Sequence, residues 1–198
     1  MRPAAEPAPL HRVFILSWIM ARAFTRHRPG AIMAYPLSLL IVGFSALRRQ
    51  LYESSDGHGM VVFGRFRLLH EIIAGVLLAL LFMAALVLVV GNDGPMGIGL
   101  AALLWLPFIV GLWQMSAGSL SATPTGPETP VGERWQVAAL AQRPGTSMSA
   151  LLLTRNLMGT LPRGAVAVAA ADDDDLLAAC ERFGFTRGKG RRVFRVVT

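Results

Sequence analysis

The stretch IIAGVLLALLFMAALVLVV, Ile72–Val90, decides how this chain reads. It carries no charged or strongly polar side chain, and at 1.5 Å rise per residue its nineteen positions extend roughly 28 Å, close to the hydrocarbon thickness of a bilayer. A second run, MGIGLAALLWLPFIVGLW (Met96–Trp113), has the same character, and the turn formers Gly91-Asn92-Asp93-Gly94-Pro95 lie between the two. The expectation is a transmembrane helical hairpin that returns the chain to its starting side. Pro107 should kink the second helix, which membrane helices tolerate where neighbours re-satisfy the backbone. Trp105 and Trp113 suit interface levels, and Gly75, Ala79, Gly97 and Gly99 suit close packing within the hairpin or an oligomer. The rival is a buried hairpin in a soluble core, but such helices are normally shorter and keep a polar face.

Charge supports the membrane reading. Lys and Arg number nine in 1–71, none in 72–115 and ten in 116–198, so both ends of the hairpin are basic. Arg48, Arg49, Arg65 and Arg67 precede it and Arg134 and Arg143 follow, whereas the connecting loop carries only Asp93; this places the flanking segments in the cytoplasm of a cell-membrane protein. A pI near 11.1 raises nucleic acid as a partner, yet no basic helix or basic–aromatic interleave occurs, and none is expected. The single Cys180 excludes an intramolecular disulfide, and the spacing of His11, His27, His58 and His70 gives no metal site. Neither span contains an ionisable side chain, which disfavours a transporter.

Upstream, residues 1–71 read as an amphipathic, interfacial region. Val13–Met20 is an apolar run with Trp18, followed by Arg22, Arg26 and Arg28, and fits an interfacial helix better than a signal peptide. Gly30–Leu47 is uncharged with basic residues at both ends, so it is a third span or a helix lying in the interface.

Downstream the composition changes. Residues 116–130 read as a Ser-, Thr- and Pro-rich linker. Periodicity then predicts a strand over Trp135–Ala141, a helix over Ser149–Gly159, a strand over Gly164–Ala171, a helix over Asp172–Phe183 and a strand over Arg192–Val197. That order gives a small α+β domain over 131–198. Asp172–Asp175 suit the positive start of a helix rather than a metal site.

Two elements of this domain are similar to a known family. Arg143-Pro144-Gly145-Thr146-Ser147-Met148-Ser149-Ala150 resembles the Arg-Gly-x-Gly-x-Gly/Ala loop of GNAT (Gcn5-related) N-acetyltransferases, with Ser147 and Ser149 at glycine positions and Pro144 at the arginine position. Cys180-Glu181-Arg182-Phe183-Gly184-Phe185 resembles the family's Tyr-x-x-x-Gly-Phe element, with Cys180 in place of tyrosine. The resemblance implies acetyl-CoA as co-substrate, its pyrophosphate held by loop amides and a helix N-terminus across Arg143, Gly145, Thr146, Ser147, Met148, Ser149 and Ala150. It further implies thioester polarisation by backbone amides around Ala139–Ala141, a general base at Glu133 and a proton donor at Cys180.

The family's first half is not evident in the sequence. Met60–Phe66 is a candidate early strand that would make the hairpin an insertion; otherwise another copy or a protein partner completes the domain. The fold expected is thus an α-helical membrane hairpin, with two spans or three, joined to a small C-terminal α+β GNAT-like domain. The function implied is a membrane-anchored N-acyltransferase acting on an amine. The alternative is a non-catalytic membrane scaffold or CoA-sensing subunit.

Overall fold

The computed structural model describes residues 6–25, 27–90, 95–115, 129–146, 148–171 and 174–198. It consists of helices and one mixed sheet. In chain order the elements are α1 (Val13–Phe24), α2 (Arg28–Leu47), β1 (Leu51–Glu53), β2 (Gly59–Arg65), α3 (Leu68–Val90), α4 (Pro95–Met115), β3 (Arg134–Gln142), α5 (Ser149–Met158), β4 (Val166–Ala170), α6 (Asp174–Arg182), β5 (Thr186–Arg187) and β6 (Arg192–Val196). The turn 91–94, most of the expected linker (116–128), and Ser147, Asp172 and Asp173 lie outside the described residues.

The sheet runs in the order β1-β2-β3-β4-β6-β5, antiparallel throughout except for β3 beside β4. It is therefore not confined to 131–198. The turn between β1 and β2 contains Asp56-Gly57, with Gly57 at φ 68°, a conformation that costs glycine nothing. β2 pairs with β3 from Gly59↔Gln142 to Arg65↔Trp135, so the α3–α4 hairpin is inserted between two neighbouring strands. Strands from before and after the hairpin thus share one sheet. Ion pairing of Arg65 with Glu133, at 3.3 Å, ties the two strands together where the hairpin leaves the sheet.

Each face of the sheet carries a separate core. One packs Leu16, Met20, Ala31, Ala34 and Val42 of α1 and α2 on Leu51, Met60, Ala139 and Ala141. The other packs α5 and α6 on Val61, Phe63, Val137, Ala167, Ala169 and Val193. Residues 13–47 are thus part of the domain core. α1 and α2 bury side chains such as Leu16, Met20, Ala31 and Ala34 completely, while Phe14, Trp18 and Ile32 of the same helices are exposed.

Among the described residues, α2 is one helix long and apolar enough to cross a membrane, by length and composition alone. It packs on α4: a Cβ on Gly111 would lie 3.2 Å from Leu37 Cβ, and one on Gly30 would lie 3.2 Å from Gln114 Nε2. By contrast, a Cβ on Gly75 or Gly99 would meet nothing within 4 Å, so these glycines make no close contact within the hairpin. α3 and α4 meet through Phe82, whose ring lies 4.8 Å from Trp105 and 5.0 Å from Phe108, and Arg48 at the end of α2 holds Glu71 of α3 at 2.7 Å.

α6 ends in a Schellman motif. Gly184 takes φ 81°, its N–H donates to Glu181 C=O at 2.9 Å, and Phe185 N–H donates to Cys180 C=O at 3.1 Å. This gives the Gly184-Phe185 pair a local reason: glycine reverses the chain and Phe185 follows it into the core.

Candidate functional site

Two irregularities at the centre of the sheet create a cleft. The first is a bulge. Met60 opposes Ala141 while Val62 opposes Ala138, so β3 spends one extra residue, and Ala139 takes φ 47°. A non-glycine residue in that region is strained and held only by its surroundings. The extra residue also inverts the alternation of the strand. Val137 faces the α5–α6 core, whereas Ala139 and Ala141, an even number of residues further on, face the α1–α2 core.

The second irregularity is a parting of strands. The β3–β4 ladder runs from Arg134↔Val166 to Val137↔Ala169 and stops, although β3 continues to Gln142. The cleft opens at the carboxyl ends of these two parallel strands, the position where open α/β sheets bind ligands. Its walls are Val137–Leu140 of β3, Thr154, Arg155 and Met158 of α5, Ala169 and Ala170 of β4, and Leu176 and Cys180 of α6. Phe24, Phe183, Phe185 and Arg195 complete it. No carboxylate or imidazole is among these described lining residues. Arg195 is held in place by its Nη1, which donates to Phe183 C=O at 2.8 Å.

The turn after β3 closes on itself. Thr146 N–H donates to Arg143 C=O at 3.1 Å, Thr146 Oγ1 donates to the same carbonyl at 2.6 Å, and Gln142 Nε2 donates to Thr146 C=O at 2.9 Å. Gly145 supplies φ 87° and Met148 φ 64°, two left-handed residues that turn the chain into α5. The first α5 amide bonded within this stretch is Leu152 N–H, to Met148 C=O at 2.9 Å, so the amides of Ser149, Ala150 and Leu151 precede the intrahelical ladder. That donor set and the positive helix end suit a phosphate.

An acidic side chain already sits there. Asp56, from the β1–β2 turn, accepts from Ser149 Oγ at 2.6 Å, from Ser54 Oγ at 2.5 Å and from His58 N–H at 3.0 Å. These donors, Ser149 first, lower its carboxyl to about 2. Gly59 explains how the turn approaches so closely, since a Cβ there would lie 2.7 Å from Ala150 N. A pyrophosphate at this helix end must share it with Asp56 or displace it.

The expected site residues therefore divide. Ala139 and Cys180 line the cleft; Gly145, Thr146, Met148, Ser149 and Ala150 form the turn and helix start beside it; Ala141 faces the α1–α2 core. Ser147 lies outside the described residues, and Arg143 lines a separate groove with Arg22 and Arg28. Glu133 is not brought to the site. It precedes β3, paired with Arg65, about five residues and roughly 16 Å along the strand from Ala138. Cys180 is buried, and burial first, then Glu181, pushes its thiol pKa up, so it stays protonated at neutral pH. It packs in the α5–α6 core and lines the cleft.

The sequence reading missed Asp56, Thr154, Arg155 and Arg195. Leu151, Thr154, Arg155 and Met158 have i, i+3, i+4, i+7 spacing, a single helical face that was legible. Asp56-Gly57 was a hairpin signal that would have exposed β1 and β2. Compared with known protein families, curated proteins and solved structures, the chain finds no match.

Proposed function

We propose that this protein is a membrane-anchored N-acyltransferase that uses an acyl-CoA and resembles the GNAT enzymes. One observation carries the reading: the parallel strands β3 and β4 part beyond Val137↔Ala169, beside a bulge at Ala139, and open an apolar slot between α5 and α6. The order of strand, turn, helix, strand, helix and two closing strands supports the resemblance drawn from the loop and Gly-Phe elements, and β1 and β2 add two strands ahead of them in the same sheet. The extended arm of an acyl-CoA carries amides along a flexible chain, and the slot offers an apolar lining with Thr154, Arg155 and Arg195 as polar partners. When bound, it supplies an activated thioester carbonyl. The bulge leaves backbone groups at Ala139 and Leu140 outside the regular ladder, where an amide can polarise that carbonyl. Arg195 and Arg155 bring positive charge to the mouth.

The membrane part rests on α3. Leu69, Ile72, Val76, Leu80, Met83 and Val87 are exposed along this 23-residue helix, whose apolar length is roughly that of a bilayer. With basic residues at its base, the hairpin crosses and the sheet domain faces the cytoplasm. The acceptor is then an amine presented near the membrane surface.

Absence of a carboxylate or imidazole from the described cleft lining favours a second reading, a CoA-sensing subunit without turnover. Purified protein in proteoliposomes, supplied with acetyl-CoA and a panel of primary amines, separates them. Free CoA released only in the presence of an amine supports transfer; saturable acetyl-CoA binding with no release supports the sensor; no binding removes both.

A further inference from the structure

A second concavity forms where α1, α2 and the turn after β3 meet. Arg22, Arg28 and Arg143 converge on it beside Trp18 and Ile32. No carboxylate lines it, and among the described residues none of the three arginines belongs to an ion pair. Arg22 Nη1 is buried without a hydrogen-bond partner. A guanidinium donor withdrawn from water and left unpaired is costly, and two further like charges beside it add to that cost. An anion relieves both. Guanidinium forks match phosphate oxygens in a way that single ammonium donors do not.

The surroundings identify the kind of phosphate. Trp18 is 39% exposed, Ile32 63%, and Phe14, one turn before Trp18, 62%, which makes an apolar rim around a basic centre. Arg28 opens α2 only two residues before Gly30, the residue that abuts Gln114 at the end of α4. With α4 in the bilayer, the groove lies at the level where that helix emerges.

We propose that this groove binds the phosphate of an anionic phospholipid, with Arg22, Arg28 and Arg143 around the headgroup and the acyl chains over Phe14, Trp18 and Ile32. The inference rests on the membrane placement of the α3–α4 hairpin and is independent of acyl transfer.

The test titrates detergent-solubilised full-length protein with dihexanoyl phosphatidic acid, dihexanoyl phosphatidylcholine, inorganic phosphate and acetyl-CoA in parallel. Phosphatidic acid should bind saturably, with a dissociation constant raised tenfold or more in Arg22→Gln and in Arg28→Gln. Arg163→Gln, which removes one exposed charge elsewhere, should bind as the unmodified protein does. Arg22→Lys keeps the charge without the fork; it serves as the folded control and should bind with intermediate affinity. Equal affinity for phosphatidylcholine, or unchanged affinity in both glutamine variants, overturns the proposal. Inorganic phosphate bound as tightly as phosphatidic acid overturns the lipid assignment in favour of a soluble phosphate. If the glutamine variants lose acetyl-CoA rather than phosphatidic acid, the arginines serve the coenzyme and the proposal falls. Loss of acetyl-CoA binding in every protein, with lipid binding intact, sinks the acyltransferase reading alone.

Discussion

Ser149 Oγ donates to Asp56 Oδ2 at 2.6 Å, joining the β1–β2 turn to the first residue of α5 across 93 positions of sequence. The chain thus places its own carboxylate beside the helix end of its candidate phosphate cradle. Removing that negative charge should help a bound pyrophosphate. Asp56→Asn is expected to tighten acetyl-CoA binding about three- to tenfold, the effect of roughly 1 kcal/mol of screened repulsion. Calorimetry on both proteins checks it, and weaker binding in the variant would remove Asp56 from the cradle.

The same carboxylate makes stability depend on acid. Its folded value, about 2, lies below the ordinary 3.8, so its contribution is present above about 4 and is lost as pH falls toward 2. Asp56 is exposed, and screening limits the contribution to about 1 kcal/mol or less. Melting temperatures of the native protein and Asp56→Asn should differ at pH 6 and converge near pH 2. A constant difference across that range would contradict the assignment.

Gly59→Ala tests the close approach that seats the turn. The new methyl would lie 2.7 Å from Ala150 N and 3.0 Å from its Cα, backbone atoms that cannot swing away. Overpacking of this kind costs about 1–3 kcal/mol, so a marked fall in melting temperature is expected. Gly75→Ala and Gly99→Ala, inside helices and with open space around the new methyl, should leave the melting temperature equal or slightly raised.

Cys180→Ala should retain acyl transfer within about threefold, because Cys180 packs in the α5–α6 core as a small apolar side chain. Loss of 100-fold or more, the range of general acid catalysis, would restore it as a catalytic residue.

Leu80→Arg places a charge on the exposed face of α3, near the middle of the proposed span. Insertion should become less favourable by about 2.5–3.5 kcal/mol, seen as protein lost from the membrane fraction. Normal fractionation would argue that the hairpin packs in water or on another protein.

Much of the domain was legible in sequence. Trp135–Ala141 anticipated β3 (Arg134–Gln142), and Arg192–Val197 anticipated β6, because buried strands and amphipathic helices leave clear periodicities. β1 was not legible, being three residues that depend on a neighbour for their pairing, and β5 is shorter still. The membership of α1 and α2 in the core was hidden by their apolarity, since a helix apolar on most faces suits a core and a membrane equally. For the site, the loop and Cys180 could be named from the sequence, whereas the cleft itself depends on the bulge at Ala139 and the parting of β3 from β4. Neither has a local signal: both follow from pairing between Met60 and Ala141, residues that the inserted hairpin holds far apart in sequence.

The most direct test is acetyl-CoA binding by calorimetry on detergent-solubilised full-length protein, beside Ala138→Trp. Ala138 is half-buried beside the bulge and lines the slot, so an indole there occupies it, and the melting temperature reports whether the fold is kept. The account predicts saturable binding at one site, lost in the variant while its melting temperature is kept. Absence of binding by the folded, unmodified protein, or equal binding by both, would contradict an acyl-CoA slot between β3 and β4.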